Sequence, residues 1–304
     1  MSSSAANPAE SGTNLLNEGV KNMLLATFFF AVMNVFVKQL TSIPAMEIVF
    51  FRCLVSALIC FVGIFRAKVD WRGNNNALLI ARGSFGTLAL FTFFLTIQNI
   101  PLASAVTIQY LSPIFTTFIA VFLLNEKVRS LQWIFYALAF AGVFVIKGFD
   151  SSVSTFFLVT GIISAFCSGV AYNLVRRLKE REHPLVVVLH FQLVGVVAGL
   201  VFTVFNWVTP ANLWECFSLL MCGILTQLGQ ICLTKSLQAE RVANVSILNY
   251  TGIVYALLFG VFIFGEVYTT QTILGISLVV LGVLLSVLYG KRRPLEVIDE
   301  TTAA

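Results

Sequence analysis

Charge is what this sequence lacks. Asp, Glu, Lys and Arg make up 11% of its 304 residues, against 58% hydrophobic, where a soluble domain carries roughly 25% charged residues. Such a chain cannot cover a water-facing surface, and an ordinary soluble fold is excluded. Histidine is nearly absent: there are two, His183 and His190. No HExxH, GxSxG or P-loop pattern occurs, so metalloprotease, serine-hydrolase and nucleotide-driven chemistries lack their parts. No enzyme and no cofactor is expected. The six cysteines, Cys53, Cys60, Cys167, Cys216, Cys222 and Cys232, show no CxxC spacing and fall mostly in apolar runs, where they read as small hydrophobes rather than metal ligands. The first nineteen residues lack a basic stretch before an apolar one, so no cleaved signal is expected; they read as a disordered N-terminus left on the cytoplasmic side.

What is present is a series of apolar runs. Stretches long enough to span a bilayer as helices run over 21–40, 46–66, 76–98, 103–124, 130–148, 155–176, 184–206, 212–234, 243–264 and 270–290. The expected fold is therefore all-α with ten transmembrane helices, because backbone groups in hydrocarbon must be satisfied within the segment and no barrel-like alternation occurs. The basic residues support the count. With the N-terminus inside, fifteen of the nineteen Lys and Arg fall in cytoplasmic segments, only Lys38 and Lys147 fall outside, and Arg52 and Arg82 lie within helices. That sorting fits a multi-pass protein of a bacterial inner membrane with both termini cytoplasmic. It also accounts for the net charge of +5 without invoking nucleic acid.

The chain also repeats itself. VFLLNEKV (121–128) matches VFIFGEV (261–267) at an offset of 140, which also pairs Gln98 with Gln238, Ala103 with Ala243, Tyr110 with Tyr250, Glu126 with Glu266 and Gly142 with Gly282. Five helices per half is an odd number, so the second half enters the membrane in the opposite sense: an inverted repeat. The halves read as 20–148 and 155–290, with a tail over 291–304. EIVFFR (47–52), the run from Ile100 to Val128, AGVFVI (141–146), the run from Leu233 to Val267 and GISLVVLGVLL (275–285) resemble the drug/metabolite transporter superfamily, specifically proteins with two tandem EamA-type domains. The resemblance spans roughly 20–290 and implies transport of a small polar metabolite, without choosing among amino acids, nucleosides, vitamins or organic anions. Pro113 has no counterpart in the second half, where Gly252-Ile253 stands, so the ninth helix is expected to break differently from the fourth.

Polar side chains deep in hydrocarbon are costly and mark pathways by default. Arg52 is the foremost, since its planar fork suits a carboxylate or phosphate; pairing with Glu47 is the structural alternative, and the family pattern also places an arginine here. His190 and Gln192 occupy corresponding depth in the seventh helix, where an imidazole is either packing or a proton carrier. Gln109 and Tyr110 in the fourth helix are matched by Asn249 and Tyr250 in the ninth, and Pro113 frees the Gln109 carbonyl for solute or water; plain kinking is the alternative. Asn34 and Lys38 share a face, as do Asn173 and Arg177: the asparagines are pathway candidates and the two cations read as snorkelling to the interfaces. Gln227 and Gln230 share a face as interhelical glue or polar wall, with Gln230 the wall candidate. Glu126 and Glu266 are expected to stabilise the N-termini of the helices that follow them. Gly195 and Gly199 form a close-packing face.

The leading expectation is a secondary transporter or facilitator working by alternating access on an anionic or zwitterionic solute, driven by a proton or solute gradient, with a homodimer left open. The competing expectation is a regulatory or scaffold protein of the bilayer that binds a partner through the basic loop RRLKEREH (176–183).

Overall fold

The computed structural model describes residues 8–123, 130–149, 153–178, 181–239 and 248–291. Among them are eleven helices: α1 Pro8–Gln39, α2 Ala45–Ala67, α3 Asn76–Asn99, α4 Leu102–Gln109, α5 Ser112–Leu123, α6 Ser130–Phe149, α7 Thr155–Leu178, α8 Pro184–Phe205, α9 Leu213–Ala239, α10 Thr251–Phe264 and α11 Thr270–Lys291. Nine stretches among the described residues are long and apolar enough to cross a membrane, α4 and α5 counting as one; α10 is a shorter tenth, and the residues before Leu248 lie outside the described set. The end of the bundle where the apolar part of α1 begins is here the near end, and the end where α1 finishes at Gln39 is the far end. Helix α1 starts at Pro8 rather than near residue 20, a position where a missing N–H costs nothing.

Local chemistry sets the ends. The Asn75 side chain accepts from the Leu78 N–H to open α3, and His183 Nδ1 accepts from the Leu185 N–H ahead of α8, whose first residue is Pro184. Helix α10 stops at Gly265, which takes the left-handed φ of +63° that glycine adopts without a Cβ penalty.

The fourth span is interrupted. It is two helices, α4 and α5, separated at Tyr110–Leu111, with Pro113 in the first turn of α5 where its missing N–H is tolerated. The counterpart in the second half breaks at the matching place: Asn249 and Tyr250 form a turn before α10. No proline is needed there because Gly252 supplies the space instead. A Cβ on Gly252 would stand 2.5 Å from the Tyr110 hydroxyl, so the second break is set by close packing on the first.

The packing follows the repeat. Under the 140-residue offset the α1–α9 contact exchanges with α3–α7, α2–α9 exchanges with α3–α8, and the α2–α8 and α6–α11 contacts each map onto themselves. This is the signature of two inverted five-helix units related by a pseudo-two-fold axis. Small residues make the self-paired seams. Gly142 of α6 meets Gly275 and Val279 of α11, while Gly282 of α11 meets the Ala139 backbone of α6, so no side chain fits between them. Gly195 and Gly199 of α8 close onto Cys53 and Phe50 of α2 as the sequence suggests. Outside, the surface is apolar: Phe205 and Phe262 are 81% and 80% exposed, which lipid tolerates and water does not.

Candidate functional site

Helices α2, α3 and α8 bring two arginines to one phenylalanine. Arg52 on α2 is buried, its Nε donating to Thr226 Oγ1 of α9 at 2.9 Å, and its guanidinium carbon lies 5.7 Å from the centre of the Phe191 ring and 6.0 Å from that of Phe94. Arg82 on α3 lies over the same Phe191 ring at 4.0 Å, inside the range where a ring face attracts a cation. Gly86 makes this possible: a Cβ there would meet both Arg82 Nη1 and Phe191 Cε2 at 2.9 Å. Arg82 Nε and Nη1 are buried and have no hydrogen-bond partner. Among the described residues neither guanidinium has a carboxylate within ion-pair distance. Glu47, the structural partner weighed for Arg52, instead turns Oε2 to the Val208 N–H at 3.1 Å and leaves Oε1 buried without a partner.

The turns at Tyr110 and at Asn249–Tyr250 form another polar group. The Tyr110 hydroxyl donates to the Asn249 carbonyl at 2.5 Å, and the Tyr110 and Tyr250 rings sit 5.0 Å apart. The four polar residues paired by the repeat are thus brought to the interface of the two halves. Gln109 is tied to α7: its Nε2 donates to Ser168 and its Oε1 accepts from Ser164, whose hydroxyl also reaches the Ala89 carbonyl of α3. Tyr172 of α7 is 52% exposed.

The remaining candidates separate. Gln192 is fully buried on α8 with neither amide atom hydrogen-bonded, and Asn34 on α1 is buried with Oδ1 unpartnered. Asn173 ties α7 to α5 through Nδ2, which donates to the Thr116 and Gly169 carbonyls, leaving Oδ1 unpartnered. Gln230 is half-buried on α9; Gln227, a turn earlier, is buried with Oε1 unpartnered. His190 is not brought to Arg52. Its Nδ1 is 2.9 Å from the Val186 carbonyl, and the ring lines a separate cavity of about 340 Å³ with Trp71, Arg72, Asn76 and Ile80 near the near end. The contact with Arg52 is made by the next residue, Phe191, because neighbouring positions on a helix point about 100° apart.

The far end holds a second polar cluster. Lys38 pairs with Glu266 at 2.8 Å and donates to the Ile100 carbonyl at 2.6 Å; Glu266 accepts from the Leu102 N–H and from the Tyr268 hydroxyl, which in turn accepts from the Ala103 N–H. Lys38 is therefore not a snorkelling lysine, and Glu266 serves the first turn of α4 rather than that of α11. Glu126, its repeat partner, lies outside the described residues. Two features escaped the sequence reading. Arg82 met the same criterion as Arg52, a cation inside an apolar span, and was a readable signal. Phe191 carried none, since a phenylalanine in such a helix is indistinguishable from a lipid-facing one.

Residues 17–148 and 155–288 each match the EamA-like transporter family. The chain is 32% identical over 271 residues to the pseudopaline exporter CntI of Pseudomonas aeruginosa, covering 88% of this chain and 95% of that one. It is 27% identical to mouse solute carrier family 35 member G1 over 87% of this chain and 76% of the relative. It is 23% identical to the S-adenosylmethionine uptake transporter of Rickettsia prowazekii over 90% and 94% of the two chains. A solved crystal structure at 18% identity superposes with a TM-score of 0.63 over 92% of this chain and 98% of that one, which establishes a shared fold.

Proposed function

The chain belongs to the EamA-like transporter family and is a multi-pass membrane transporter of small metabolites, and from that premise we propose that its solute is anionic or zwitterionic and is held at Arg52. One observation carries the reading: Arg52 is 4% exposed, deep in a bilayer-spanning helix, and no carboxylate among the described residues neutralises it. A cation buried without a counter-charge is held at a cost of several kcal/mol, and a solute carboxylate is the group that offsets it. The guanidinium's planar fork suits that group bidentately.

The two five-helix halves, 20–148 and 155–290, alternate access to this interior. At the far end the Lys38–Glu266 pair joins α1 of the first half to the α10–α11 junction of the second, and it fastens the start of α4 as well. Breaking it opens the far end; keeping it leaves the interior to communicate with the near end. The positive-inside distribution of Lys and Arg supports a near end facing the cytoplasm of a bacterial cell, with α1 entering from that side. Energy comes from a solute or ion gradient.

The test is uptake into proteoliposomes containing the purified full-length protein, over a panel of amino acids, nucleosides, vitamins and organic anions. Saturable flux confined to solutes that bear a carboxylate or phosphate is expected. Flux of neutral or cationic solutes alone would overturn the assignment.

A further inference from the structure

We propose that Arg82 is a second anion-binding residue of this site and that the solute is a dicarboxylate, one carboxylate on each guanidinium and the carbon skeleton against Phe191. The inference rests on the reading of Arg52 as the solute's anchor and goes beyond it in naming how many charges the solute carries.

Three observations converge. First, the two guanidinium carbons lie 5.7 Å and 4.0 Å from one and the same ring centre, that of Phe191. Like charges brought together in a low-dielectric site are held there for a partner of opposite sign. A single carboxylate neutralises one of them and leaves the other buried and bare. Second, Arg82 has donors to spare: Nε and Nη1 are buried and make no hydrogen bond, although nearly every buried polar atom in a folded protein finds a partner. Third, the pair is held in place. Gly86 one turn on leaves room for the Arg82 side chain and the Phe191 ring to stack, and any larger residue would separate them. Arg82 is itself partly exposed. The ring shared by the cations favours an anion whose two charges are separated by a short apolar chain over a compact one such as inorganic phosphate.

The experiment uses the full-length protein, purified and reconstituted, as wild type, Arg82→Gln, Arg82→Lys, Arg52→Gln and, as a control at the cavity lined by His190, Arg72→Gln. Succinate, malate and fumarate are compared with lactate, alanine and inorganic phosphate, by thermal stabilisation of the detergent-solubilised protein and by uptake into liposomes. Dicarboxylates are expected to stabilise the wild type most. Arg82→Gln should lower the ratio of dicarboxylate to monocarboxylate uptake at least tenfold, Arg82→Lys should restore part of it, Arg72→Gln should leave the ratio alone, and Arg52→Gln should depress uptake of both classes. An unchanged ratio in a folded Arg82→Gln protein overturns the proposal while leaving Arg52 in place. So does a wild type that no dicarboxylate stabilises, or one that phosphate stabilises in their stead. Uptake of both classes surviving Arg52→Gln instead overturns the underlying reading.

Discussion

The Tyr110 hydroxyl donates a 2.5 Å hydrogen bond to the Asn249 carbonyl, at the point where the helix breaks of the two halves meet. It connects the first repeat to an unwound backbone group of the second, and a carbonyl freed by a helix break needs such a partner inside a membrane. Tyr110→Phe keeps the ring contact with Tyr250 and removes the bond. A loss of about 1 kcal/mol in stability is expected, read as a lower melting midpoint of the purified protein, together with altered transport. An unchanged midpoint would mean that water replaces the hydroxyl at no cost.

The far-end cluster predicts an asymmetric effect. Lys38→Ala leaves Glu266, which also holds the Leu102 N–H, without its cation. The partly buried position makes this worth about 1–3 kcal/mol. A cysteine introduced at Ala105, buried on α4, should then react faster with a thiol reagent applied from the far side, while Ser84→Cys, exposed near the other end, should be unaffected. Equal rates at Ala105 with and without Lys38 would show that the pair closes nothing.

The α6–α11 seam is intolerant of volume. In Gly282→Leu the new side chain meets the Ala139 nitrogen and the Phe135 carbonyl, both backbone, at 2.7 Å from its Cβ. Because backbone cannot step aside, a loss of more than about 2 kcal/mol is expected, with aggregation on size-exclusion chromatography. Gly148→Ala, whose Cβ would meet nothing within 4 Å, is the tolerated control.

Sidedness follows from the charge tally and is open to direct labelling. Cys216, exposed in the first turn of α9 at the far end, should be labelled in intact cells by a membrane-impermeant maleimide, and Cys216→Ser should abolish the signal. Labelling only after the cells are permeabilised would reverse the orientation.

The sequence revealed the fold more fully than the site, for physical reasons. Hydrocarbon demands long apolar helices, and the ten spans were legible because lipid imposes that demand on every one. The repeat was legible because Glu126 and Glu266, or Gly142 and Gly282, hold identical residues at one offset. Contacts across helices were not. Lys38 and Glu266 are 228 positions apart, and nothing in either span announces the pair; each satisfied a simpler local account, snorkelling for one and helix capping for the other. The fourth-span break was visible in Pro113, but its twin before α10 depends on Gly252 making room for Tyr110, a relation that only the packed structure contains. Arg52 was found because a cation in lipid is conspicuous, and Arg82 was equally conspicuous; what joins them is Phe191, an ordinary residue made important by place.

Uptake by wild-type and Arg52→Ala protein, reconstituted at equal density and checked for folding by melting midpoint, tests the central claim most directly. The account predicts saturable uptake of an anionic solute that falls at least tenfold in the variant. Uptake of every transported solute continuing at the wild-type rate in a folded Arg52→Ala protein would contradict it.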